Sequence, residues 1–218
     1  MIERFIYTAL TEGFATLQKD VDILEDLFIG QHGLSKTEFA AIRTLLATKP
    51  PKVIHGYAHA DESFPLCSIV LDSEQETDEF LAYDAGQVED PDDPDYQTDI
   101  LSAIWQHSHS VLIYAEHPDA VLYYYEMAKS SLIAAHDYFI DQGMHNVSLS
   151  GMDLAPDPRY IPAHLFLRRL SIKSQREFQR LDRKTAKAFK VTGIAVDSSG
   201  SPSDVGGVPT NVKTYEGD

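Results

Sequence analysis

Apolar residues near the start of the chain recur at spacings of four and three: Ile6, Leu10, Phe14, Leu17, Val21, Leu24 and Phe28. That period places them in one stripe and predicts a single amphipathic helix over residues 2–28, ended by "GQHGL". A second helix opens at Ser35. Ser35 and Glu38 make a capping-box pattern ahead of Phe39, Ile42, Leu45 and Leu46, and "KPP" at 49–51 stops it, because proline cannot continue a helix. "KVIHGYA" and "PLCSIVLD" predict strands bounded by turn-forming residues. Residues 84–98 predict a loop, since "EDPDDPD" crowds five acids and two prolines into seven positions. Residues 101–115 predict a long strand.

Pro118 to Gln142 predicts the best helix in the chain. Pro118 suits the first helical position and Asp119 the positive end of the helix dipole. Val121, Tyr125, Ala128, Leu132, Ala135 and Phe139 supply its buried stripe, and Gly143 suits the C-terminal stop. "HNVSLSG" then predicts a short strand, "DLAPDPRYIP" a proline-stiffened loop, and residues 164–178 another long strand. Together these elements predict an α+β fold: a mostly antiparallel mixed sheet with two or three packed helices. Residues 1–180 suffice for one such domain. Residues 181–218 predict a C-terminal arm or extension, because after about residue 190 the chain turns to Gly, Ser, Pro and Thr with little to bury.

Charge changes the picture. The chain carries 34 acidic and 18 basic residues, for a net charge of −16. Between Lys52 and Lys129 there is no lysine or arginine, yet half the acids lie there. Residues 168–190 show the reverse bias, with Arg168, Arg169, Lys173, Arg176, Arg180, Arg183, Lys184, Lys187 and Lys190 against Glu177 and Asp182. Acidity of this size repels nucleic acid unless the positive charge is segregated, as it is here. Segregation of the two signs suits head-to-tail assembly, in which an acidic edge of one subunit meets a basic edge of the next. The alternative is a solvated surface with one basic strand. No apolar run approaches the length of a membrane span, and "MIERFIYTALTEGF" lacks a secretory pattern.

Candidate chemistry is sparse. Cys67 is the only cysteine and lies in an apolar run, which predicts a buried, inert thiol. "QHSHSVLIYAEHP" offers His107, His109 and Glu116, the residue types of a two-histidine, one-carboxylate metal site. On a straight strand, however, His107 and Glu116 would stand roughly 30 Å apart. In "HGYAHAD", which also holds Asp61, His55 and His59 stand four apart, a ligand spacing only on a helix, and Gly56 and the prolines before it oppose a helix. The acidic run lacks the glycine and terminal glutamate of a calcium loop. No nuclease, nucleophile-elbow or P-loop pattern is present. No catalytic residue, metal or cofactor is therefore expected. A metal-dependent enzyme built on His107 and His109 is kept as a minor alternative.

"VLIYAEHPDAVLYYYEMAKSSLIAA", followed by "VSLSGMDLAPDPRYIPAHLFLRRLSI", resembles the tail-terminator (neck) proteins of long-tailed bacteriophages over roughly residues 98–178. The "APDPRYIPAHLF" loop is its most specific part. The resemblance implies a non-enzymatic virion protein of the neck or tail, assembled in the host cytoplasm. Its partners would be itself, as a homo-hexameric ring, the tail tube protein, and a head-completion or connector protein. Such a ring caps the tube and ends tail growth, and DNA passes through its channel unread. The long acidic stretch and the C-terminal arm depart from that pattern, which keeps another neck adaptor or head-completion protein as the alternative. Residues expected at subunit or ring interfaces are Asp157, Arg159 and Tyr160 in the proline loop, Arg176 and Arg180 in the basic strand, and Asp92 and Asp93 in the acidic run.

Overall fold

The computed structural model describes residues 2–58, 62–77, 83–90, 93–154 and 165–181; within 83–101 and 179–181 only the backbone is described. The helices are α1 (Ile2–Lys19), α2 (Val21–Glu25), which runs on as a π-helical stretch (Asp26–Gln31), α3 (Lys36–Thr48), α4 (Pro118–Ala134) and α5 (His136–Asp141). The strands are β1 (Lys52–His55), β2 (Leu66–Glu76), β3 (Tyr83–Asp90), β4 (Asp93–Ala115), β5 (Met144–Asp153) and β6 (Phe166–Leu181). Their order is β1-β2-β4-β6-β5, with β3 paired to β4 off that path. β1 and β2 are parallel, whereas β2–β4, β3–β4 and β5–β6 are antiparallel. This is the α+β mixed sheet that the pattern predicts.

The chain forms two compact units. The first, Met1–Thr77 with Ile104–Glu177, contains the helices and their sheet. In the second, Asp78–Ala103 with Phe178–Asp218, the described part includes β3 paired to the first stretch of β4.

The first unit has apolar clusters on both faces of its sheet. Ile6, Leu10, Phe14 and Leu17 of α1 pack with Met127, Ala128 and Leu132 of α4 over Cys67, Ile69, Val111, Ile113, Leu170 and Ile172. The other face gathers Leu66, Val70, Leu112, Tyr114 and Leu167. Burial on both faces explains why β2 opens on an unbroken run, "LCSIV", instead of an alternation. Burying each large apolar side chain contributes roughly 1.5–3 kcal/mol, so packing rather than intrinsic propensity holds α1 in place.

Three expectations need correction. The helix over 2–28 breaks at Asp20, whose carboxylate accepts from the backbone N–H groups of Asp22 (3.1 Å) and Ile23 (3.3 Å). An aspartate with those donors in reach caps a new helix better than it continues an old one. The helix over 118–142 breaks at Ala135, but its apolar period carries on to fully buried Phe139, which hides the break from the pattern. These breaks give five α-helices where two or three were expected. Residues 84–90 and 93–98, where a loop was expected, form paired strands. Repulsion between carboxylates in water is only about 1 kcal/mol per close pair, too little to forbid a backbone ladder. Other expectations match. Ser35 and Glu38 form the capping box, Pro118 opens α4, and Gly143 adopts φ +76° after α5. The proline loop over 155–164 and the arm from residue 182 lie outside the described residues.

One close approach sets the helix layer. A Cβ on Gly13 would overlap the Ser131 side chain and stand 3.2 Å from its Cα, so α1 and α4 cross nearly backbone to backbone there. Gly13→Ala gains about 1 kcal/mol of helix propensity, but a Cβ cannot rotate away, and overpacking costs about 1–3 kcal/mol. Net destabilisation is expected in urea denaturation, partly recovered by adding Ser131→Gly. A stabilised Gly13→Ala would contradict the close crossing.

Candidate functional site

A β-bulge organises the polar centre of the sheet. Leu71 opposes His109, but Ser73 opposes Ser108, so Asp72 is the extra residue on β2. Without it Ser73 would face His107; with it the parity of β2 flips and Glu74 takes that place. The bulged Asp72 accepts from Ser110 Oγ and from Arg169 Nη2, each at 2.6 Å. These contacts tie β2, β4 and β6 together.

His107 and His109 share the helix-facing side of β4 and stack with centroids 6.2 Å apart. His107 Nδ1 lies 3.4 Å from Glu74 Oε1. His109 is 1% exposed, and its Nε2 lies 3.4 Å from Glu3 Oε1 at the start of α1, yet neither ring nitrogen makes a hydrogen bond. Burial pushes both imidazoles below their ordinary value, against the pull of Glu74 on His107 and of Glu3 on His109. Burial also pushes the Glu3 carboxyl up, but its own backbone N–H and His109 outweigh that and leave it low. Glu116, the third residue of the motif, instead pairs with Lys49 at 3.5 Å. Among the described residues no group of three or more His, Cys, Asp or Glu comes together to hold a metal ion. Cys67 is buried, and burial pushes its thiol up to about 12.

Beside this pair an open cleft of about 610 Å³ separates α1 from β1 and β2. Its walls include Glu3, Tyr7, His55, Tyr57 and Leu71. Tyr7 and His55 stack with centroids 4.9 Å apart. Tyr57 is 67% exposed and Leu71 42%. Gly56, at φ +81°, turns the chain sharply out of β1 just ahead of Tyr57. At the other end of the strand order, Tyr125 of α4 lies flush against Gly151 of β5. The Arg168 guanidinium sits 5.2 Å above the Tyr125 ring and is bonded to Asp153 at 2.7 Å. Phe178, in β6, is 64% exposed.

The expected interface residues separate into groups. Asp92, Asp157, Arg159 and Tyr160 lie outside the described residues. Asp93 opens β4 opposite Asp90, and Arg180 lies near the end of β6. Arg176 opposes Met144 and stacks 5.3 Å from the Phe5 ring, so its cation has a partner within its own chain. His55 packs on Tyr7, while His59 and Asp61 lie outside the described residues. Glu3, Tyr57 and Phe178 were not singled out by sequence. Glu3 reaches His109 across more than a hundred positions, which no local pattern encodes. No helix among the described residues is long and apolar enough to cross a membrane. Compared with known proteins, the chain matches no family model, and no curated protein matches it.

The buried histidines carry a pH dependence. Glu3, Asp72 and Glu74, together with the amino terminus and the two rings themselves, set their field. Because the folded values lie below the ordinary 6.5, the unfolded chain binds these protons first. Their contribution is complete above about pH 6.5 and is lost as pH falls through the folded values. His109→Phe is therefore expected to flatten the fall in unfolding free energy between pH 7 and pH 5. An unchanged slope would show that His109 does not titrate in the folded state as described.

Proposed function

We propose that the protein is a structural assembly component of the tail-terminator kind. It closes head to tail into a homo-hexameric ring that caps a tail tube, ends tube growth and presents a face to a head-completion or connector protein. The observation that carries this reading is the outer edge of β5. β5 runs ten residues at the end of the strand order, and its side chains are mostly exposed. A bulge interrupts its pairing between His145 and Ser148, but from Ser148 to Asp153 it runs in register without proline, lysine or arginine, and among the described residues no strand covers its outer side. Long edges left without such protection are templates for another chain.

Charge supports the same reading. The acids between residues 53 and 128 and the bases of 168–190 are segregated along the sequence, which suits a heterologous contact that closes into a ring when its rotation permits, although Arg168, Arg169 and Arg176 already have partners within the chain. A channel lined by acids would repel phosphates and let DNA slide. The resemblance over residues 98–178 names the ring that these features suit.

Electron microscopy of the purified protein, and of virions carrying it, tests the reading. Six-fold rings with a central channel, seated between tube and connector, are expected. A ring adjoining the portal would assign it instead to head completion. A strict monomer holding stoichiometric zinc or iron would overturn the structural role. Reversing Arg176 would also remove its stack on Phe5, so Arg180 is reversed separately. Arg180→Glu should weaken assembly, and more so at low salt than at high salt. Assembly unaffected at either salt would remove the charged edges from the contact.

A further inference from the structure

We infer that the cleft between α1 and β1–β2 is a binding site for a small zwitterion carrying a flat ring, of the aromatic amino acid class. This goes beyond the ring assembly and does not rest on it. Every residue lining the cleft belongs to the first compact unit, so the site is complete within that unit. Its volume of about 610 Å³ is ample for such a ligand.

The spacing of the wall residues selects a ring and an amine. Glu3 and Tyr7 stand four positions apart on α1. On a helix that sets them on one face, about 5–6 Å apart. An amine two carbons from a ring has a similar reach, so an ammonium at Glu3 brings its ring beside Tyr7. Tyr7 is stacked on His55 with the planes 24° apart, which extends the flat surface to the end of β1. Ile69 and Leu71 of β2 add apolar surface for the ring.

Charge selects the rest of the ligand. Behind Glu3 lies His109, which is buried, makes no hydrogen bond at either ring nitrogen and is held neutral by desolvation. The charge of Glu3 is therefore not cancelled from behind. Arg4, the next residue in the wall, is exposed and pairs with no carboxylate among the described residues, Glu3 included. The cleft thus offers an uncompensated carboxylate and an uncompensated guanidinium on neighbouring residues. A simple amine leaves Arg4 unanswered, and a simple acid leaves Glu3 unanswered. A ligand with an ammonium and a carboxylate on one carbon answers both with charge-assisted hydrogen bonds. A multiply charged anion would meet repulsion from Glu3.

Saturation-transfer NMR titrations of the full chain with three indoles test this. The probes are L-tryptophan, tryptamine, which lacks the carboxylate, and indole-3-propionate, which lacks the amine. L-tryptophan is expected to bind about tenfold or more tighter than either analogue. Arg4→Gln should lower the affinity for L-tryptophan to that for tryptamine and leave tryptamine binding unchanged. Glu3→Gln should do the converse, lowering L-tryptophan to the level of indole-3-propionate. Arg4 is exposed, so its variant keeps the fold, and the Arg4 arm decides the matter even if Glu3→Gln destabilises the chain. No binding of any probe, analogues that bind as tightly as L-tryptophan, or Arg4→Gln that leaves L-tryptophan binding intact would each overturn the site. None of these outcomes bears on assembly, which is read separately by microscopy. A monomeric chain that still shows the expected ranking would overturn the ring and leave the site standing.

Discussion

The close crossing of α1 over α4 is the constraint from which the rest of the first unit follows. At Gly13 and Ser131 there is no room for another carbon, so α1 is seated deeply in the helix layer. That seating brings Ile6, Leu10 and Phe14 onto Ile69, Val111 and Ile113. It also fixes what the start of α1 touches. Glu3 comes to His109, Phe5 to Arg176 and Tyr138, and Tyr7 to His55. The α1 side of the cleft wall is thus a product of core packing, while Gly56 and Tyr57 on the other side belong to the turn that leaves β1.

The sheet shows the same economy. One extra residue at Asp72 changes which side chains of β2 face the helices, and thereby gives His107 a carboxylate neighbour in Glu74. The same residue anchors Ser110 and Arg169. His109 is left without a hydrogen bond at either nitrogen. A buried imidazole in that state is kept neutral by desolvation, at a cost that the surrounding apolar packing offsets. Protonation at low pH would place a charge on this buried ring beneath the start of α1, which makes the packing there pH-sensitive. The features left uncovered among the described residues are the β5 edge, the cleft and Phe178.

Much of the architecture was legible in the chain, because it rests on short-range periodicity and caps. The capping box at Ser35 and Glu38, the opening of α4 at Pro118, the stop at Gly143 and the core strands all announce themselves locally. The breaks at Asp20 and Ala135 were not legible, because the apolar stripe runs through both. The pairing of β3 with β4 was hidden by its acids, which argue against burial but not against a ladder. The candidate site was less legible. The sequence singled out His107 and His109, and the geometry gives them Glu74 and Glu3 as neighbours, where the sequence had offered Glu116. Neither the bulge that delivers Glu74 nor the helix that delivers Glu3 leaves a local signature. Tyr57 and Phe178 carry no motif at all. Their exposure emerges only once the fold has covered most other large aromatics among the described residues.

The most direct measurement is amide hydrogen exchange across Met144–Asp153, compared between dilute and assembled protein. Pairing of the β5 edge between copies predicts that the amides of this strand become strongly protected on assembly, while those of α1 and α4, already sealed in the core, barely change. Exchange in β5 that is equally fast in both states would contradict an assembly built on that edge.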